Sequence, residues 1–237
     1  MNFPHLNQIR VFKTLLFSFC LLLILGISLM GKPIQLKSYT VSGSHLTGYL
    51  PVDQQVYWAL NRPICHSGQS LIVPAAFTFE NLSVVGASID WGKIVNPKIS
   101  PELSGFCVIE SQKPHILSLA QLNQGQFNRL SKQQTSVFQQ DLLVFQGKPI
   151  PISQASAINL WRALVIFSDR FEVVENDIKM RRDEFQMALL KLGAQQAIYL
   201  DMGTWSEGAY FSSQNRVVKI GKMRKNTHKQ SNWLVFH

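Results

Sequence analysis

The sequence predicts an α+β fold: a single mixed domain of many β-strands with one or two packed helices, preceded by an N-terminal transmembrane or signal segment. Three observations predict it. From Val56 onward, short apolar runs alternate with turn residues, which is the pattern of sheet. One late stretch, Arg181 to Leu192, places Phe185, Ala188, Leu189 and Leu192 three or four positions apart and stops at Gly193, as an amphipathic helix with a glycine C-terminus does. Thr14 to Met30 is an uncharged run of 17 residues. With 237 residues, 46% hydrophobic and 16% charged, the chain can build one sizeable domain or at most two small ones, and it is too apolar for a disordered protein. It divides into residues 1–33, the membrane anchor or signal segment; 34–55, a linker; and 56–237, the folded domain.

The N-terminal run lies between Arg10 and Lys13 on one side and Gly31 and Lys32 on the other. Its length is at the short edge for crossing a bilayer and slightly beyond a usual signal core, and no clear small-x-small cleavage site follows. An uncleaved anchor is the expectation; cleavage would make the protein secreted. The basic pair on the N-terminal side leaves the domain outside the cytoplasm, periplasmic or on the cell surface, although Lys32 and Lys37 weaken the asymmetry. Residues 34–56 are polar and carry Gly43, Gly48 and Pro51, which reads as a linker or a short strand.

The elements then follow in order. Strands are expected at 55–60, 71–79 and 82–89, and Asp90-Trp91-Gly92-Lys93 reads as a hairpin turn because Gly at its third position takes positive φ. Further strands are expected at 106–109, 115–118 and 142–145, with a turn at Gln146-Gly147-Lys148. Gln133 to Gln140 reads as a short amphipathic helix. Residues 162–167 and 171–174 flank Ser168-Asp169-Arg170 as a hairpin. After the late helix come the Ala197–Leu200 strand and closing strands at 216–220 and 231–236, an order of many strands and one firm helix that gives the α+β class.

The net charge of +9 falls to +6 without residues 1–33, which hold three basic residues and no acid. That balance suits an anionic surface or substrate, while no aromatic-interleaved basic motif points to nucleic acid. Cys65 and Cys107 lie in the exported part, as a disulfide or as two separate thiols. Neither has metal-ligand spacing around it, so no metal is expected, and no cofactor. The sequon Asn81-Leu82-Ser83 has meaning where the host glycosylates exported proteins. No pattern in the chain fixes an oligomeric state.

The chemistry-bearing stretch is Leu200-Asp201-Met202-Gly203-Thr204-Trp205-Ser206-Glu207-Gly208, a buried strand that ends on a carboxylate and runs into a glycine-rich turn with many exposed N–H groups. An acid in such a place is either catalytic or a structural acceptor for the turn. Residues 187–203, a helix followed by Leu-Gly and then Ala-x-x-Leu-Asp-x-Gly, resemble the corresponding unit of the phosphodiester glycosidase domain family. Asp201, Gly203, Thr204, Ser206 and Tyr210 fit its pattern. Phe138 to Lys148 is similar to its Leu-Leu-x-x-Gly-Lys strand, Arg162-Ala163-Leu164 to its Arg-led strand start and Asn232–Val235 to its closing strand, so the resemblance covers roughly 70–236. Two departures stand out: Ala75-Ala76-Phe77-Thr78-Phe79 where the family carries Asn-Gly-Gly-Phe-Phe, and Met202 where it has a second glycine. They point either to another substrate or to a domain that binds without turnover.

The resemblance implies hydrolysis of a sugar-phosphodiester or a phosphorylated envelope glycan, the alternative being a noncatalytic module that binds an anionic glycan. Asp201 is then the nucleophile or base, with the structural acid as the other reading. Glu207 is its partner carboxylate or a solvated turn residue. Arg162 grips phosphate through its fork or makes a surface ion pair. The acid-free run holding Arg216, Lys219, Lys222, Arg224, Lys225, His228 and Lys229 is a phosphate-facing rim, with Arg224 a ligand contact, or a solvated basic loop. His228 is a general-acid candidate or an exposed histidine. Thr78, Gly203, Thr204 and Ser206 are candidate contacts to sugar or phosphate oxygens, and Trp205 stacks on a sugar or covers the turn.

Overall fold

The computed structural model describes residues 34–66, 70–151, 158–221 and 225–237. The N-terminal segment and its membrane expectation, and Lys222 and Arg224, lie outside the described residues. Three antiparallel sheets carry the fold. The first has seven strands in the order β1 (Gln35–Val41), β2 (Ser44–Leu50), β13 (Phe171–Asn176), β12 (Arg162–Ile166), β14 (Gln196–Leu200), β10 (Leu142–Phe145) and β11 (Lys148–Pro149). The second runs β16 (Val217–Ile220), β15 (Gly208–Phe211), β4 (Leu71–Pro74), β17 (Trp233–Phe236) and β3 (Val56–Ala59). The third runs β6 (Lys93–Asn96), β5 (Ser88–Asp90), β9 (Ser136–Gln140), β7 (Gly105–Glu110) and β8 (Lys113–Ser118). Helix α1 (Gln124–Leu130) and helix α2 (Arg182–Lys191) pack against these sheets.

The predicted α+β class is therefore corrected: the described chain is mostly β, three antiparallel sheets with two helices. One segment that changes type is residues 133–140, expected as a helix. Ser136–Gln140 is instead the central strand β9, buried at every position and paired on both sides, with β5 and β7. Two faces of burial erase the alternation that marks a strand, and a period argument then has nothing to act on. The helix lies just upstream as α1, where Asn123 and Gln126 form a reciprocal capping box: Asn123 Oδ1 accepts the Gln126 N–H at 3.0 Å, and Gln126 Oε1 accepts the Asn123 N–H at 2.8 Å. The runs at 75–79 and 82–87 also leave strand geometry, keeping a single bridge between Thr78 and Val84. Residues 35–50, within the stretch read as a linker, form the β1–β2 hairpin, whose second strand pairs with β13.

Helix α2 matches its pattern. Phe185, Ala188 and Leu189 are buried, Glu184 accepts the Arg181 N–H at 2.9 Å, and Gly193 follows at φ +92°, a conformation open to glycine at little cost. Gln186 bolts the helix to the first sheet by donating to the Leu143 and Ile150 carbonyls at 2.8 and 2.9 Å.

Two-residue alternation along β12, β13 and β14 divides the first sheet into two faces. Leu164, Val173, Ile198 and Leu200 face a core shared with Leu71, Val73, Leu234 and Phe236 of the second sheet. Ala163, Val165, Val174, Ala197 and Tyr199 face α2. A third cluster joins Phe106, Val108 and Val137 to Phe127 of α1. Cys107, fully buried in β7, is a free thiol, so it is not joined to Cys65. Among the described residues no helix is long and apolar enough to cross a membrane.

Candidate active site

Asp201 is the first residue past β14, where alternation puts it on the same face as Tyr199. It is 7% exposed and lies on a cleft of about 580 Å³. Its Oδ1 accepts the Gly203 N–H at 2.9 Å, and its own N–H donates to the Ala75 carbonyl at 3.0 Å, so the carboxylate sits at the seam between the first and second sheets. Burial raises its pKa above the ordinary carboxylate value, opposed by the Gly203 N–H and the charge of Arg162.

Aromatic rings wall the cleft. Tyr199 lies between Phe77, centroids 5.5 Å apart, and Trp161, which meets it edge-on at 5.7 Å. The Tyr199 hydroxyl accepts the Met202 N–H at 3.1 Å, and burial, reinforced by the nearby Asp201, pushes its pKa up. Trp161 Nε1 donates to the Met180 carbonyl at 2.8 Å, which fixes that ring.

The cleft also holds an ion pair that sequence reasoning missed. Arg182 Nη1 bonds Asp141 Oδ2 at 3.1 Å, and its Nη2 bonds the Leu142 carbonyl at 3.0 Å. Its Nε is buried with no hydrogen-bond partner among the described residues. Arg182 opens α2, where the positive end of the helix dipole disfavours a cation. A pair of arginines at a helix start was a readable signal that another demand overrides the dipole.

Among the predicted site residues, Asp201, Thr78, Gly203 and Thr204 come together on the cleft. Thr78 Oγ1 lies 3.1 Å from Ser231 Oγ and accepts from Asn232 Nδ2 at 3.3 Å. Ser206 is buried behind them, donating from Oγ to the Gly203 carbonyl at 2.6 Å. It shapes the turn, and Gly221, at φ +97°, makes room for it: a Cβ there would lie 2.4 Å from the Ser206 carbonyl oxygen.

Arg162 does not line the cleft. It faces the inner core opposite both Glu175 and Leu200, is fully buried, and donates from Nε and Nη2 to Glu175 Oε2 at 2.9 and 2.7 Å. Tyr49 completes the network, its hydroxyl donating to Glu175 Oε1 at 2.7 Å. Alternation from Leu200 decides this placement, because a residue paired with Leu200 shares its face and not that of Asp201.

Glu207 is also outside the cleft, bridging Arg62 and Lys219, the latter at 3.2 Å. Burial would raise its pKa, but these two cations hold it below the usual value. His228 is exposed in a 3₁₀ turn, Thr227–Lys229, and does not line the cleft. Its neighbours do reach the rim: the Lys225 N–H donates to the Thr204 carbonyl at 2.8 Å, and Lys229 Nζ lies 5.3 Å from the Trp205 ring centre. Trp205 itself lines the cleft.

Asn232 organises the segment that departs from the family pattern. Fully buried, it accepts the Ala76 N–H at 2.7 Å, donates to the Ala76 carbonyl at 3.0 Å, and accepts from Trp58 Nε1 at 3.3 Å. One side chain thereby fixes the chain that carries Phe77 and Thr78 to the cleft. Among the described residues no three His, Cys, Asp or Glu side chains gather as a metal site.

No protein-family model and no curated protein matches the chain. Solved structures do. The catalytic domain of zebrafish N-acetylglucosamine-1-phosphodiester alpha-N-acetylglucosaminidase, auto-inhibited by its pro-peptide, matches with a TM-score of 0.60 at 11% identity, over 86% of this chain and 82% of that one. A hypothetical protein from Synechocystis matches at 0.51 and 11% identity, over 86% of this chain and 62% of that one. At this identity the likeness establishes a shared fold.

Proposed function

We propose that this chain is a phosphodiester glycosidase-like hydrolase, anchored outside the cytoplasm by its N-terminal segment, that cleaves the sugar–oxygen bond of a sugar-phosphodiester. The observation that carries the proposal is the presence, on one aromatic-walled cleft, of a buried carboxylate, Asp201, and of an arginine, Arg182, held there by Asp141. The shared fold with a phosphodiester glycosidase catalytic domain supports the same reading.

Asp201 acts as general base. Its raised pKa makes it a stronger proton acceptor than an ordinary carboxylate, closer to the pH at which it works. It takes a proton from a water whose oxygen attacks the anomeric carbon. The bond from that carbon to the phosphate oxygen breaks, its electron pair leaving with the phosphate. The leaving group gains one negative charge, which Arg182 offsets. A phosphate is already a good leaving anion, so strong acid assistance is dispensable. The aromatic wall takes the sugar, and Lys229, beside the Trp205 ring, attracts the anion to the rim.

The test is hydrolysis of the methyl phosphodiester of N-acetylglucosamine-1-phosphate or glucose-1-phosphate, followed as reducing sugar. Turnover that disappears in Asp201→Asn with the fold retained supports the proposal; unchanged turnover in that variant ends it. A second reading, glycan binding without catalysis, is favoured by Met202, a residue of the cleft lining where the family pattern has glycine. No hydrolysis by the parent, together with phosphodiester binding that persists in Asp201→Asn, selects that reading.

A further inference from the structure

A second cleft, of about 360 Å³, opens at one end of the third sheet and shares no lining residue with the Asp201 cleft. Two hairpin turns form its lips, Trp91-Gly92 between β5 and β6 and Ser111-Gln112 between β7 and β8. All four residues have positive φ: 46° and 79° in the first turn, 49° and 61° in the second. A two-residue turn of this kind favours Asn-Gly because L side chains resist the left-handed region. This chain instead puts Trp at one strained position and Ser-Gln at two others. The Ser42-Gly43 and Gln146-Gly147 turns of this chain share that geometry, so it is the residues at these two turns, not the backbone, that set the lips of this cleft apart.

The chemistry of the lining is specific. Trp91 is 57% exposed, a large aromatic face turned to solvent on a fixed frame: its N–H donates to Ser136 Oγ at 3.1 Å and the Gly92 N–H to the Thr135 carbonyl at 2.9 Å. The opposite lip is pinned by the Val56 N–H on the Gln112 carbonyl at 3.0 Å. Exposed Gln112, Gln133 and Gln134 bring three amides, each both donor and acceptor. Among the described residues Glu110 is the one charged residue of the lining, and no cation lines it, which argues against phosphate and anionic glycans.

We propose that this cleft is a binding site for a neutral oligosaccharide. One pyranose stacks on Trp91, and the glutamine amides and the Glu110 carboxylate exchange hydrogen bonds with its hydroxyls. The site is separate from the Asp201 cleft and does not depend on hydrolysis there.

The experiment is calorimetric titration of the full chain with chitotetraose and with cellotetraose. Saturable binding of at least one is expected, unchanged in Asp201→Asn. Trp91→Asn gives the turn a residue that accepts positive φ, so it should raise the melting temperature by ~2–4 °C while weakening sugar binding at least tenfold and leaving phosphodiester hydrolysis intact. Gln134→Ala, an exposed truncation, should weaken binding about threefold. Failure of both tetrasaccharides to bind the parent overturns the proposal, as does parental affinity in Trp91→Asn or, should that variant not fold, in Gln134→Ala.

Discussion

Arg162 stands behind Asp201, opposite Leu200 in the strand register, and its charge lowers the pKa of that carboxyl from the core side while its hydrogen bonds go to Glu175. One nitrogen, Nη1, is buried with no hydrogen-bond partner among the described residues. The guanidinium is thus a structural ion first and an electrostatic influence on the site second.

Arg162→Met should therefore unfold more easily by ~3–5 kcal/mol in urea titrations, because Glu175 is left buried without its counter-charge. Pairing it with Glu175→Gln should recover part of that loss, since Tyr49 can still donate to the amide oxygen. A loss below ~1 kcal/mol in the single variant would show that the pair is not what holds these strands together.

Asp201 gives a stability signature that runs opposite to a salt-bridged acid. Burial raises its pKa in the folded state, so the folded protein holds that proton more tightly than the unfolded chain. Stability then falls as pH rises from the ordinary carboxylate range through the raised value, and stays reduced above it. Asp201→Asn should gain ~1 kcal/mol at pH 7, and the gain should close below about pH 4. Its turnover should fall by ~10²–10⁴. A variant less stable than the parent at pH 7 contradicts the sign.

Glu207 provides the contrast. Lys219 and Arg62 outweigh the effect of burial and depress its pKa, so its ion pairs stabilise the fold above the unfolded carboxylate pKa and are lost as pH falls through the depressed one. Glu207→Gln should cost less than ~1 kcal/mol at pH 7, less still in high salt, and nothing at low pH. Phosphodiester turnover within a factor of two of the parent is expected; a loss comparable to that in Asp201→Asn would return Glu207 to the reacting centre.

Asn232→Ala should cost about 3 kcal/mol, because it strips partners from the buried Ala76 backbone and the Trp58 indole at once. KM for a phosphodiester should rise as well, since Phe77 and Thr78 lose their anchor. A purely structural role would lower stability and leave KM alone.

Arg182→Ala should raise KM for a phosphodiester by ~10-fold or more, with Arg182→Lys partly restoring it, because an ammonium keeps the charge but not the planar fork. Equal KM in all three proteins would remove Arg182 from phosphate binding.

Most strands and the late helix were legible because their faces differ: one turned to a core, the other elsewhere. The strand at 136–140 was not, since burial on both sides removes the contrast that a period needs. The site was legible where it is local. Asp201, Gly203 and Thr204 share a turn, and the turn is visible in the sequence. Asp141, Trp161 and Arg182 come from three separated segments, and only the sheet order brings them together. Arg162 could have been assigned to the core by alternation alone, once its pairing with Leu200 was known.

Strand β17 lies between β4 and β3, so two strands made early in translation have no direct ladder with each other and wait for residues 233–236. Asn232, the anchor of Phe77 and Thr78, arrives at the same moment. At ~5–20 residues per second, roughly ten seconds or more separate synthesis of β4 from that of its neighbour β17. Through that interval the Asp201 seam lacks one of its two supports. A nascent chain therefore carries no finished cleft, and whatever chemistry the cleft performs begins only once β17 has joined β4 to β3.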